Sequence, residues 1–204
     1  MNYLAHLYLS GNNDDLRLGN FIADAIKGSN LEYMRPNIKK GIILHRYIDS
    51  YTDNNDIVNQ AKLLIKSNFP KYSGIIVDIC FDHFLAKNWI NYSDIKLRAF
   101  VRNFYILMVL NYTILPKRVK RSLPFLISQN WLESYKDLNG IGKIYDRMNI
   151  YRGLPWNSKV IIPAINNNYI ELENLFNIFF PDLIKVSNKK IEDLLIASTN
   201  KSSV

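Results

Sequence analysis

A single cysteine, Cys80, occurs in 204 residues. That excludes an internal disulfide or a thiolate zinc cluster and makes a reducing compartment, the cytoplasm, the expectation. Glycine (8) and proline (7) are scarce, so the chain is neither collagen-like nor linker-rich. No apolar run reaches the roughly 20 residues a bilayer-spanning helix needs. The longest uncharged stretch, Asn103 to Pro116, is broken by the polar Asn111, and no membrane span is expected. Met1 to Leu9 lacks the basic leader and apolar core of a signal peptide and carries His6 where that core would lie. Also missing are a glycine-rich phosphate loop, a Gly-x-Ser-x-Gly elbow and a His-Glu-x-x-His pair. Cys80 sits in an apolar helical pattern and reads as core.

What is present is a chain of 48% hydrophobic and 13% aromatic residues, long enough to bury one sizeable core. Its apolar positions recur at three- and four-residue intervals, without the alternation of half-buried strands. The expectation is an all-α, single-domain helical bundle. Helical segments are expected near Tyr3 to Leu9, Leu16 to Lys27 (stopped by Gly28 and Ser29), Pro36 to Tyr51 and Asp56 to Ser67. Further ones run from Lys71 to Asn91, Asp94 to Ile114, Lys117 to Tyr135, Gly140 to Tyr151 and Ser158 to Phe180, with Pro124 and Pro163 as kinks or boundaries. One domain covers residues 1–184, and a polar tail from Lys185 onward is expected to fray.

Lysine and arginine number 26 against 18 acids, a net charge of +8. Such an excess attracts anionic partners, although a lysine- and asparagine-rich composition explains it equally well. Lys117, Arg118, Lys120 and Arg121 form the densest basic cluster.

Only three histidines occur, His6, His45 and His83, each among carboxylates and apolar residues. His45 and Asp49 are four apart and so share a helix face, as an ion-gripping pair or a plain intrahelical one. Asp78 and Asp82 have the same spacing in a segment otherwise almost wholly apolar. Ionised carboxylates there are costly unless a cation or hydrogen-bond donors meet them. Asp24 is a third acid on an apolar helix. A divalent ion would remove these penalties, and mixed histidine and aspartate ligation suits manganese, iron, zinc or magnesium. His6 reads either as a ligand or as a hydrogen-bonded core histidine. Arg46 either neutralises an acid or holds a phosphate.

The segments Met1 to Leu7, Gly19 to Asp24, Gly41 to Asp49 with Thr52-Asp53, and Phe81 to Ala86 with Trp89 together resemble the acyl carrier protein phosphodiesterases. The later half of the chain matches that pattern only loosely. The resemblance implies an all-helical, metal-dependent hydrolase, typically manganese-supported and distantly HD-domain-like. It would cleave the phosphodiester between 4'-phosphopantetheine and a serine of holo acyl carrier protein, an acidic protein substrate. Asp24, His45, Asp49, Asp82 and His83 fall on the family's polar motif positions, as do Asp78 and His6 as ligands or ligand supports. His83, His45 and Arg46 are the candidates for moving a proton or holding phosphate oxygens. Where the family often continues its Thr-Asp block with His-Pro, this chain has Asn55-Asp56. The order Asp82-His83 also reverses the pair that names the HD superfamily. Two rivals stand beside this reading: an HD-like phosphohydrolase acting on a nucleotide or other small phosphoester, and a non-catalytic basic module binding RNA or carrier protein. Nucleic acid is not the expected partner.

Overall fold

The computed structural model describes residues 1–28 and 31–199. Among them are ten α-helices and no strand: α1 (Tyr3–Tyr8), α2 (Asp14–Ile22), α3 (Pro36–Asp53), α4 (Asp56–Lys66), α5 (Ser73–Lys87), α6 (Leu97–Leu110), α7 (Lys117–Ser128), α8 (Leu138–Arg152), α9 (Ser158–Asn167) and α10 (Tyr169–Thr199). The helices start where the chain supplies caps. Asn13 and Asn55 accept backbone N–H groups at the starts of α2 and α4, and Pro36 opens α3. Helix α5 is the axis of the bundle. Ile76 to Leu85 are buried apart from Asp78, as suits a helix apolar on every side. Phe81 and Phe84 meet Phe176 of α10 across it.

Several boundaries differ from the sequence expectation. The Lys71 to Asn91 segment ends as α5 at Lys87 and continues only as a 3-10 turn over Trp89–Asn91. The Lys117 to Tyr135 segment breaks at Asn130, whose φ of 44° reverses the chain. Pro124 and Pro163 lie inside α7 and α9, and the break expected at Pro163 falls instead at Asn168. The polar tail is helical from Lys185 as far as Thr199. There Val186, Ile191 and Leu194 keep the helical spacing and pack on the core, which holds the segment in place. Ser29 and residues 200–204 lie outside the described residues.

One crossing fixes the functional geometry. Helices α2 and α3 touch through their backbones at Gly19 and Gly41. A Cβ on Gly41 would stand 2.2 Å from the Leu16 carbonyl oxygen, and one on Gly19 would stand 2.1 Å from that of Ile38. Only glycine permits such an approach. It sets Asn20 and the following 3-10 turn, which carries Asp24, against the stretch of α3 that carries His45 and Asp49.

Candidate metal centre

Four helices and one turn converge on a polar pocket of about 210 Å³ whose lining includes His6, Asn20, Asp24, His45, Asp49 and Asp78. Among the described residues, His6, His45 and Asp49 offer ligand atoms within 4.8 Å of one another. The Asp49 carboxylate lies between the two imidazoles, 3.1 Å from His6 Nε2 and 3.0 Å from His45 Nε2. The rings themselves stack with centroids 4.2 Å apart. Asp24 reaches His45 Nε2 at 3.2 Å from the exposed rim.

Asn20, fully buried, fixes which nitrogens face the pocket. Its amide Nδ2 donates to the His6 carbonyl and to Ser10 Oγ, both at 2.9 Å. Since a carbonyl can only accept, the Asn20 Oδ1 must point the other way. There it lies 2.8 Å from His6 Nδ1 and 3.1 Å from His45 Nδ1, so both Nδ1 atoms carry the proton and donate. The Nε2 lone pair of neutral His6 is thereby turned toward Asp49. His6 Nε2 is buried and, despite the short distance, has no hydrogen-bond partner. Two acceptors facing each other in a buried site repel unless a cation lies between them. Thr52 Oγ1, also on the pocket wall, is a second buried atom without a partner. The donor set therefore fits a divalent ion, and two imidazoles with carboxylate suit a transition metal better than calcium.

The charges agree with this. Burial and the neighbouring His45 keep His6 below its ordinary pKa, despite Asp49. Burial would lower His45 as well, but Asp24 and Asp49 outweigh it and hold it at about 9. Asp49, although burial opposes ionisation, stays well below the usual carboxylate range, chiefly through its hydrogen bond with the His45 imidazolium. Asp24 is lowered mainly by its hydrogen bond with His45. At neutral pH the metal-free cluster thus carries two carboxylates and one imidazolium, a net charge of about −1. Exchanging that proton for a divalent ion brings it to neutrality.

The remaining sequence candidates are bound to other partners. Asp82, 0% exposed, accepts the backbone N–H groups of Asn2, Leu4 and Ala5 at 3.2, 2.7 and 3.3 Å. It is the anchor of the first turn of α1 and so holds the helix that presents His6. Burial pushes its pKa up to about 7 against the pull of these donors and of the terminal amino group. The expectation that Asp82 shares the ion is not met by this placement, because helix N–H groups supply the compensation instead. His83 is likewise turned away. Its Nδ1 lies 2.8 Å from the Tyr135 carbonyl and its Nε2 2.8 Å from the Tyr169 hydroxyl. Asp78 lines the pocket but is joined to the Met1 amino group at 3.0 Å. Arg46 is exposed and donates to the Gly28 carbonyl at 2.7 Å, bracing that turn outside the pocket lining. Asn20 is the functional residue that the sequence reading did not single out.

Replacing Asn20 by alanine is expected to weaken divalent-metal binding by about 10- to 100-fold, because both imidazoles lose their orienting acceptor. Calorimetric titration with Mn²⁺ checks this, and an unchanged affinity would remove Asn20 from the design.

The model of the family described as acyl carrier protein phosphodiesterase matches residues 1–183. A protein of that name from Yersinia pestis is 30% identical over 191 residues, covering 93% of this chain and 99% of its own. The corresponding protein of Pectobacterium atrosepticum is 30% identical over 188 residues, covering 92% and 97%, and that of Salmonella agona is 30% identical over 201, covering 93% and 99%. No solved structure matches the chain significantly.

Proposed function

The chain belongs to the acyl carrier protein phosphodiesterase family. On that premise we propose that it hydrolyses the phosphodiester joining 4'-phosphopantetheine to a serine of holo acyl carrier protein, with a divalent ion at His6, His45 and Asp49. Manganese is the ion the family resemblance implies, and the cytoplasm, where carrier proteins work, is the proposed location. The observation that carries the reading is the convergence of two imidazole nitrogens and a carboxylate, one nitrogen buried and unsatisfied, at the wall of an accessible pocket.

A divalent ion bound there supplies a lowered pKa for water and charge compensation at phosphoryl oxygens. The protein's own groups do the rest. Asn20 holds both rings in register. Asp24 stands at the pocket rim, its side chain 60% exposed, and its lowered pKa keeps it ionised. Once the His45 proton is displaced, the hydrogen bond that lowers this pKa is lost, and the carboxylate is then basic enough to take the proton of the attacking water and return it to the serine oxygen as that group leaves. The basic surface, with Arg118 and Arg121 exposed and without an acidic partner among the described residues, draws in an acidic protein substrate and speeds encounter.

Mass spectrometry of holo carrier protein incubated with the chain and Mn²⁺ tests the reading directly. A mass loss equal to phosphopantetheine is expected, absent with Asp24→Ala. An unchanged substrate mass with the intact chain would refute it.

The raised pKa of His45 gives the site a pH signature. A proton held up to about pH 9 must leave when a metal binds. Apparent affinity should therefore rise with pH, by up to about tenfold per unit, and level off near 9. Stability of the chelator-treated protein moves oppositely. The imidazolium's contribution is fully present below about 6.5, the unfolded value, and is lost as pH rises through about 9. Metal affinity that does not change between pH 6.5 and 8.5 would contradict this.

A further inference from the structure

Past Asp24 the polar pocket adjoins a larger cavity, of about 610 Å³, and Tyr3, Phe21 and Asp24 line both. The character of the walls changes along this route. The carboxylates and histidines give way to Val119, Phe125 and Leu126 of α7, Met148 of α8 and Trp131 of the intervening turn. Arg147 does not interrupt the apolar wall. Its guanidinium lies 4.9 Å from the Phe125 ring centroid and 5.3 Å from that of Trp131, and it donates to Gln129 at 2.6 Å. An apolar groove of this size takes a drug-sized flexible ligand. Arg118 and Arg121, exposed on α7, complete the lining and suit the phosphate end of such a ligand, while the apolar wall suits an uncharged chain.

A phosphodiester cleaved in the polar pocket has two branches. The serine branch is a whole folded protein and stays outside. The other is pantetheine, a slender chain of two amides ending in a thiol, which in an acylated carrier protein continues as an alkyl chain through a thioester. From the continuity of the two cavities we propose that the groove seats the pantetheine arm together with the acyl chain on its thiol, so that acylated forms are bound better than the free-thiol form. The proposal rests on the phosphodiesterase reading above. Each fully buried methylene multiplies affinity by about four. An eight-carbon chain lying partly in an open groove is therefore expected to gain on the order of tenfold overall.

The test uses the intact chain with Mn²⁺ and two probes, 4'-phosphopantetheine and its S-octyl thioether, titrated by calorimetry. Two variants bear on the groove. Ser122→Trp fills it from an exposed position of α7, and Tyr151→Ala removes an exposed wall. The S-octyl probe is expected to bind at least about tenfold more tightly than the free thiol. Ser122→Trp should bring the two within about threefold, and Tyr151→Ala should weaken the S-octyl probe selectively. Equal binding of the two probes to the unmodified chain, or a gap that persists in both variants, overturns the proposal. So does a dimer, seen by sedimentation equilibrium, that the S-octyl probe cannot dissociate, since a second copy would then occupy the groove. Phosphopantetheine release from holo carrier protein is followed in parallel. Its absence refutes the phosphodiesterase reading, whereas normal release without an S-octyl preference refutes the groove alone.

Discussion

Asp49→Ala is expected to abolish Mn²⁺ binding at micromolar metal and to lower phosphopantetheine release by well over 100-fold, beyond the 10- to 100-fold typical of residues that merely support ligands. The reason is positional. Among the described residues Asp49 is the carboxylate that contacts both imidazoles, at 3.1 and 3.0 Å, so its loss removes a ligand and a negative charge that makes the pocket attractive to a cation. The protein itself should stay folded, because Asp49 is partly exposed and its helix is held by Ile42, Leu44 and Ile48 on the buried face. Its removal ends the contact that helps keep His45 protonated, so the His45 pKa should fall from about 9. An NMR titration of the imidazole would show this beside the activity assay. A variant with near-normal turnover would place the metal elsewhere.

Gly41→Val is expected to cost about 3 kcal/mol or more of folding stability, at the upper end of overpacking penalties. A Cβ there would stand 2.2 Å from the Leu16 carbonyl oxygen and 2.8 Å from the Asn20 backbone nitrogen. Backbone atoms cannot rotate out of the way, so α2 and α3 must separate. Gly41→Ala should show a smaller loss in the same direction. Even where that variant folds, Asn20 moves away from His45 and metal affinity drops with stability. Chemical denaturation beside metal titration measures both, and a fully stable Gly41→Val protein would show that the crossing is not as close as 2.2 Å implies. Neighbouring Ile43→Val, at a half-buried position, should cost no more than about 1.5 kcal/mol and serves as the control.

Much of this could be read from the residues in order, and the limits have physical causes. The helical class follows from apolar spacing, and the His45–Asp49 pair from the four-residue repeat of one helix face. The grouping of His6 with that pair requires α1 to lie against α2, which no local pattern states. Asp82 shows why buried acids are ambiguous. Burial demands compensation but does not say whether it comes from a cation or from N–H groups, and here the first turn of α1 provides it. His83 finds its partners 52 and 86 residues away, beyond any spacing argument. Asn20 carries no charge, so only the orientation of its amide between two imidazoles reveals its part. The helical tail had its signal in Val186, Ile191 and Leu194, outweighed there by the polar residues between them.

Pulsed EPR of the Mn²⁺-loaded protein addresses the metal centre without relying on turnover. Nitrogen couplings from two imidazoles are expected, one of them lost in His6→Ala and one in His45→Ala, with His83→Ala unchanged. A spectrum without nitrogen coupling, or one altered by His83→Ala but not by His6→Ala, would contradict the site assigned to His6, His45 and Asp49.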